Sequence, residues 1–340
     1  MKYKNFALGA IPSPHDPRDY TIDKFEVASL SSLPSEYIIP YVPEIYDQGQ
    51  YEQCVAFALA GIKESQEWKE RGVKKRYSHS FIYANREITD HQGEGMTPRK
   101  ALKRLVKFGC CEYDDFPILN TYPVCKAQFE QKINQLLPLA LPQKVYAYVR
   151  LRTIEEIKQF LYTFQTPVAI GINVYESFFN TGNNGIVSPP SGTKYGGHMM
   201  IIVGWRIIAN TLYFIILNSW GKKWGDNGLC YMNFNEYKFS ECWGVVDQKP
   251  EQEINKPTEI LLTIGNNKII ADNKVIEMDT APFYKDGRTF VPVRFVAEAL
   301  GYKVKWYNIN PSGENGDMIL ITNGGERSWD EILEMVNELS

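Results

Sequence analysis

One cysteine constrains this chain more than any other residue. Cys54 stands where a polar, turn-forming stretch, Asp47-Gln48-Gly49-Gln50-Tyr51-Glu52-Gln53, runs into an apolar one, Val55-Ala56-Phe57-Ala58-Leu59-Ala60. No proline interrupts residues 55–71 and Gly72 follows as a stop, so the pattern predicts a helix with Cys54 in its first turn and a buried apolar run. A helix N-terminus carries partial positive charge, which favours thiolate over thiol. Taken alone, Cys54 reads more readily as a small buried hydrophobe, the usual fate of a free cysteine.

Two later segments change that balance. Gly196-Gly197-His198-Met199-Met200-Ile201-Ile202-Val203-Gly204-Trp205 places one histidine at the head of an apolar strand. Leu217-Asn218-Ser219-Trp220-Gly221-Lys222-Lys223-Trp224-Gly225 places an asparagine at the end of the next strand, before a Gly/Trp-rich turn. His198 follows Cys54 by 144 residues and Asn218 by 164, and Gln48 precedes Cys54 by six. Cys, His and Asn in this order, with the upstream Gln, resemble the papain-like cysteine peptidases, in which the His and Asn lie about 130–150 residues beyond the Cys. The resemblance covers residues 33–248.

It implies a role for each residue. His198 would take the Cys54 proton to give a thiolate–imidazolium pair, and later return a proton to the leaving amine. Asn218 would accept the other ring N–H of His198 and fix its orientation. Gln48 would donate its amide to the developing oxyanion together with the Cys54 backbone N–H. Trp220 would cover the His198–Asn218 contact. By the same resemblance the loop before a helix at 99–108, with Gly95 and Met96, and Gly197 beside the histidine, would bind an extended peptide. Asp247, shortly after the late Cys242-Trp243-Gly244 segment, is a candidate floor for a pocket preferring a basic residue, with a surface carboxylate as the plain alternative; Trp243 is one residue more than the family pattern carries. The substrate class implied is a protein or peptide. A transglutaminase-like thiol acyl transferase and a silent peptide-binding scaffold are the rival readings.

Composition excludes several other classes. Residues 251–340 hold 9 Lys+Arg against 15 Asp+Glu, a net of −6, and residues 1–250 hold 28 against 25, a net of +3. Neither part has the basic patch a phosphate backbone requires, so no nucleic-acid partner is expected. No apolar run approaches the roughly 20 residues of a membrane helix, and the first dozen residues lack the apolar core of a signal peptide. The six cysteines are Cys54, Cys110, Cys111, Cys125, Cys230 and Cys242. Secreted members of the resembled family carry a disulfide-forming Cys three residues before the nucleophile, where this chain has Tyr51; that favours a reducing compartment. No Cys or His pairs have ligand spacing, so neither metal nor cofactor is expected.

Residues 1–32 contain Pro12, Pro14 and Pro17 and run extended; they form either a short arm occluding the cleft, in place of the family's longer propeptides, or a strap packed on the body. His79 opens a second helix and is a second base by residue type only, with a surface or capping role as the ordinary reading. Thr97 and Pro98 cap a helix stopped by Gly109. Residues 110–150, with Pro117, Pro123, Pro138 and Pro142, read as an irregular crossover. Thr153 and Glu156 form a capping box for a helix to Phe164. Strands follow at 168–174, 199–205, 212–217 and 229–234. Helices first and sheet later make the fold α+β, and the resemblance implies two lobes: a helical one bearing Cys54 and a β-barrel-like one bearing His198.

Residues 249–257 are polar with flanking prolines and read as a linker. Beyond them, residues 258–323 resemble the small stalk domain also called copper amine oxidase N-terminal-like, through Gly287-Arg288-Thr289-Phe290-Val291-Pro292-Val293-Arg294-Phe295. Residues 251–340 contain no His and no Cys, so copper has no suitable ligands there. This domain is common in envelope proteins of Gram-positive bacteria, which implies attachment to the cell envelope, whereas the absent signal peptide implies the cytoplasm; both remain open. Residues 324–340 follow as an amphipathic helix, with a Ser328/Glu331 capping box and Trp329, Ile332, Leu333, Val336 and Leu339 on one face.

Overall fold

Helix α1, Cys54–Arg71, is buried from Cys54 through Glu67 on every side. An amphipathic surface helix would bury one stripe; α1 is instead central to its domain, so its polar residues need internal partners. Glu64 accepts the Glu44 N–H at 2.9 Å and the Tyr46 hydroxyl at 3.0 Å. Gln66 donates to Val245 O at 2.8 Å. The structure, a computed structural model, describes residues 6–87, 89–90, 93–247, 260–271, 274–299, 303–308 and 317–322. The expected linker at 249–257 and C-terminal helix at 324–340 lie outside these residues.

The chain divides into two compact units, 1–248 and 249–340. In the first, α2 (His79–Ala84), α3 (Pro98–Phe108) and α4 (Tyr122–Ala140) gather with α1 into a helical lobe. Helix α4 corrects the expectation of an irregular 110–150. Pro123 sits in its first turn, where the missing N–H would have no intrahelical partner, and Pro138 falls in its last turn. The two prolines therefore frame the helix and leave fourteen residues between them free of proline. Helix α5 (Ile154–Phe164) has the expected cap, with Thr153 Oγ1 accepting the Glu156 N–H at 3.1 Å.

The β lobe is an antiparallel sheet, not a closed barrel. Strands β2 (Ala147–Leu151), β3 (Val168–Tyr175), β4 (Lys194–Ile208), β5 (Thr211–Leu217), β6 (Leu229–Met232) and β7 (Glu241–Val246) run in the order β2-β7-β3-β4-β5-β6, and β1 (Tyr37–Ile38) pairs with β4. Strand β4 begins four residues before His198, so the histidine lies within the strand, opposite Ile172 of β3. A short helix, α6 (Glu176–Phe179), follows β3. The lobes form a two-lobed papain-like fold.

The second unit holds a three-stranded sheet of β8 (Ile260–Leu262), β9 (Lys268–Ala271) and β10 (Lys274–Glu277). The hairpin β11 (Phe283–Lys285)–β12 (Arg288–Phe290) turns at Asp286-Gly287, both at positive φ. A helix at Val293–Ala299 and the hairpin β13 (Lys303–Asn308)–β14 (Asp317–Thr322) follow. Strand β10 was not anticipated; Lys274-Val275-Ile276-Glu277 is too short for alternation to identify.

Candidate active site

Cys54 is the first residue of α1 and is fully buried. His198, also fully buried, places Nε2 2.8 Å from Asn218 Oδ1. The amide oxygen can only accept, so Nε2 carries the proton and Nδ1 is left as the basic nitrogen. Nδ1 is buried without a hydrogen-bond partner. Asn218 directly follows β5; its Oδ1 also accepts the Ser219 N–H at 2.8 Å, which fixes the amide. Trp220 stacks on the His198 ring at 4.7 Å. The Cys54 sulfur lies beside the backbone of Met199, the residue after His198, whose pull opposes the rise of the thiol's pKa. Loop, helix and sheet thus bring Gln48, Cys54, His198, Asn218 and Trp220 together.

Gln48 is held from three sides. Its Oε1 accepts the Ser219 hydroxyl at 2.5 Å, and its Nε2 donates to Tyr51 O at 2.8 Å and to Ala7 O at 3.2 Å. The side chain is therefore a fixed donor facing the cleft. The sequence places Ser219 in the Asn-Ser-Trp segment but gives no sign that its hydroxyl holds Gln48.

The N-terminal arm occupies this cleft. Ala7 O receives both Gln48 Nε2 and Trp220 Nε1, the latter at 3.1 Å. Phe6 stacks on Trp220 at 4.6 Å. Gly9 N and Ala10 N both donate to Gly197 O, at 3.2 and 3.1 Å. Met96 N donates to Gly9 O at 2.9 Å, and Ile11 N to Met96 O at 3.1 Å, in a parallel bridge. Three glycines allow this fit: a Cβ on Gly9 would lie 2.4 Å from Glu52 O, one on Gly95 2.6 Å from Gly9 O, and one on Gly197 2.1 Å from Ala10 O. Gly95, Met96 and Gly197, expected to meet a substrate, thus meet the arm. Farther along, Ser13 N donates to Glu241 Oε1 at 3.1 Å, and Arg99 forms a buried bidentate ion pair with Asp19.

Electrostatics follow from this enclosure. Burial pushes the Cys54 thiol up to about 12, against the opposing pull of backbone hydrogen bonds from Met199 and Val55. Burial lowers His198 to about 4, only partly offset by its bond to Asn218. The thiolate expected from the helix N-terminus is therefore not favoured while the arm is in place: desolvation outweighs the helix-end charge. Both groups are neutral at pH 7.

Two expectations are corrected. Asp247 accepts Lys63 Nζ at 2.9 Å, and Glu67 takes the same ammonium at 2.7 Å. A fully buried lysine on α1 requires such partners, so Asp247 belongs to this ion cluster rather than to a pocket floor. Glu67, Glu70 and Asp247 are the one set of ligand-type atoms within 4.8 Å of one another among the described residues, and Lys63 already bonds two of them. The late-strand carboxylate that does reach the arm is Glu241, opposite Gly171 in the β3–β7 ladder. His79, expected at the surface or at a cap, is 2% exposed; it stacks on Phe57 at 4.0 Å and its Nδ1 meets Gln53 Oε1 at 2.9 Å.

Comparison with known proteins agrees with this fold. Residues 248–312 match the copper amine oxidase N-terminal domain. Xylellain, a cysteine protease from Xylella fastidiosa, superposes with a TM-score of 0.62 at 25% identity, covering 72% of this chain and 97% of xylellain. A cysteine protease of Blomia tropicalis is 28% identical over 199 residues, 55% of this chain and 56% of that protein. A peptidase C1-like protein of Acanthamoeba polyphaga mimivirus is 30% identical over 228 residues, 63% of this chain and 69% of that protein. This chain thus spans little more than half the length of the Blomia relative. The model of the papain family of cysteine proteases matches residues 37–247, well over half of the chain, and the protein belongs to that family.

Proposed function

We propose that the protein hydrolyses peptide bonds through a Cys54 nucleophile, with His198 as base and then acid, Asn218 as its orienting partner, and Gln48 as oxyanion donor. The observation that carries this reading is the His198 Nε2–Asn218 Oδ1 bond of 2.8 Å, which leaves a bare Nδ1 on the strand whose next residue lies beside the Cys54 sulfur. With water admitted, Nδ1 takes the thiol proton, the thiolate attacks the scissile carbonyl, and the oxygen gains negative charge within reach of Gln48 Nε2. His198 protonates the leaving amine, and water then cleaves the thioester.

The arm is an intramolecular plug in this scheme. Its Ala7 carbonyl already takes the Gln48 donor that an oxyanion would need, and its burial of Cys54 and His198 keeps both neutral. A fluorogenic dipeptide assay on the full chain, a chain starting at Leu33, and Cys54→Ala in each tests both points. Hydrolysis that rises on removing residues 1–32 and vanishes with Cys54→Ala is expected. Equal activity with and without the arm would remove its inhibitory role, and amine incorporation without hydrolysis would favour acyl transfer. For the second unit we propose attachment to the cell envelope, consistent with the exposed cross-strand row Leu261, Ile270 and Val275. Binding of the full chain to cell-wall sacculi, compared with a chain ending at 248, tests it.

A further inference from the structure

Met96 presents one N–H and one C=O to the cleft, and the arm uses both. A loop residue can serve as a docking edge only if its backbone is held still, and the six cysteines, all free, supply no disulfide to hold it. The holding is done by polar side chains. The Tyr83 hydroxyl accepts the Gly95 N–H at 2.9 Å and donates to Glu94 Oε2 at 2.7 Å. Glu94 in turn accepts the Tyr122 N–H, 3.0 Å from each carboxylate oxygen, at the N-terminus of α4, where a negative charge is favoured. Arg86 donates to Gly93 O at 2.9 Å and to Gly95 O, and its guanidinium lies 3.5 Å from the Tyr122 ring centroid. Tyr83 is fully buried and Arg86 is 6% exposed, so these bonds face little competition from water. Gly95 is left at φ +87 with its neighbours bound on both sides.

We propose that Tyr83, Arg86 and Glu94 are positioning residues that pre-form the Gly93–Met96 loop as a one-residue β-edge, for which the arm and the backbone of an extended substrate compete. This rests on the peptidase reading for the substrate, but not for the arm. Because the clamp lies behind the edge and touches no reacting atom, it acts on binding of chain remote from the cleaved bond. It therefore affects KM for extended peptides and leaves the chemical step alone.

The test has two arms. In the full chain, Tyr83→Phe keeps the ring against Tyr122 and removes both hydroxyl bonds; Glu94→Gln is the second variant, and thermal melts establish that each is folded. Amide exchange at Met96 and Ile11 is expected to speed up at least ~10-fold; unchanged protection in both folded variants would overturn the clamp. The kinetic arm uses the full chain carrying Gly9→Val, in which the arm cannot seat against Glu52. Adding Tyr83→Phe there should raise KM for a peptide of four or more residues about tenfold with kcat within about twofold, and leave a single-residue ester within about twofold. Equal losses on both substrates would mean a general structural role and overturn the proposal. Should the Gly9→Val chain hydrolyse neither substrate, that result counts against the peptidase reading, while amide exchange still decides the clamp.

Discussion

Gln48 has both ends of its amide engaged, which turns a flexible side chain into a fixed donor. Ser219 sets the oxygen, Tyr51 takes one N–H, and the other points at the cleft. A donor held in advance costs no reorganisation when charge develops, so Gln48→Ala in the Gly9→Val chain should lower kcat by ~10²–10³ with little change in KM. A rise in KM at constant kcat would show that Gln48 binds ground state and transition state alike. Gly9 is the other residue on which the site turns. Its φ of +121 is disfavoured for a side-chain-bearing residue, and a Cβ would strike the Glu52 carbonyl. Gly9→Val should therefore lift the arm and hydrate Cys54. With its thiol near 12, the enclosed cysteine is ionised to only about one part in ten thousand at pH 8. Iodoacetamide should label Cys54 slowly in the wild type and at least ~10-fold faster in Gly9→Val. Equal labelling would mean that the arm does not govern access.

The elements show where such fits are tightest. Gly244 lies in β7 between β2 and β3, and the Phe160 ring of α5 sits directly upon it: a Cβ there would fall 2.4 Å from Phe160 Cε2. Gly244→Ala should cost about 1–3 kcal/mol through overpacking, read as a lower denaturation midpoint at unchanged m-value; an unchanged midpoint would show that α5 shifts freely. The same strand marks the limit of what the sequence discloses. Cys54, Gln48 and the Asn218-Ser219-Trp220 turn were legible because each is a local pattern tied to a helix start or strand end. Glu241 and Asp247 stand at opposite ends of β7, and which end meets the arm is a tertiary fact with no local signal: Glu241 accepts Ser13 N, while Asp247, just past the strand, accepts Lys63 of α1. Helix α4 is hidden by its proline content, since Pro123 and Pro138 break a helix only in its interior and here stand in its first and last turns. His79 was misjudged because its burial depends on Phe57 and Gln53, partners distant in sequence. The polar clamp at Gly93–Met96 gave no signal, since Tyr83, Arg86 and Glu94 follow no recognisable spacing and meet at the distant Tyr122.

At the scale of the molecule, the enclosed site is a liability in acid. His198 is lowered to about 4 and His79 to about 3, both by burial first. Each releases its proton more readily folded than unfolded, so between pH 6.5 and the folded values the unfolded chain binds more protons, and stability falls as pH drops. At pH 4.5 each histidine should cost roughly 2–3 kcal/mol relative to pH 7, two units of linkage at about 1.4 kcal/mol each. Carboxylates titrate over the same range, so the wild type alone does not isolate the effect. Removing one histidine does: His79→Gln keeps a polar group near Gln53 but cannot charge. Its loss of stability between pH 7 and pH 4.5, from denaturant titrations, should be smaller than the wild type's by about 2–3 kcal/mol. Equal losses in the two proteins would mean that His79 titrates normally in the fold. Protonation of His198 requires water at its buried ring Nδ1, next to the Gly197 carbonyl that the arm binds. The same acid shift should therefore loosen residues 6–12 before the domain unfolds, and faster amide exchange at Ile11 than at the core strand β4 as pH falls from 6.5 to 4.5 is the expected order.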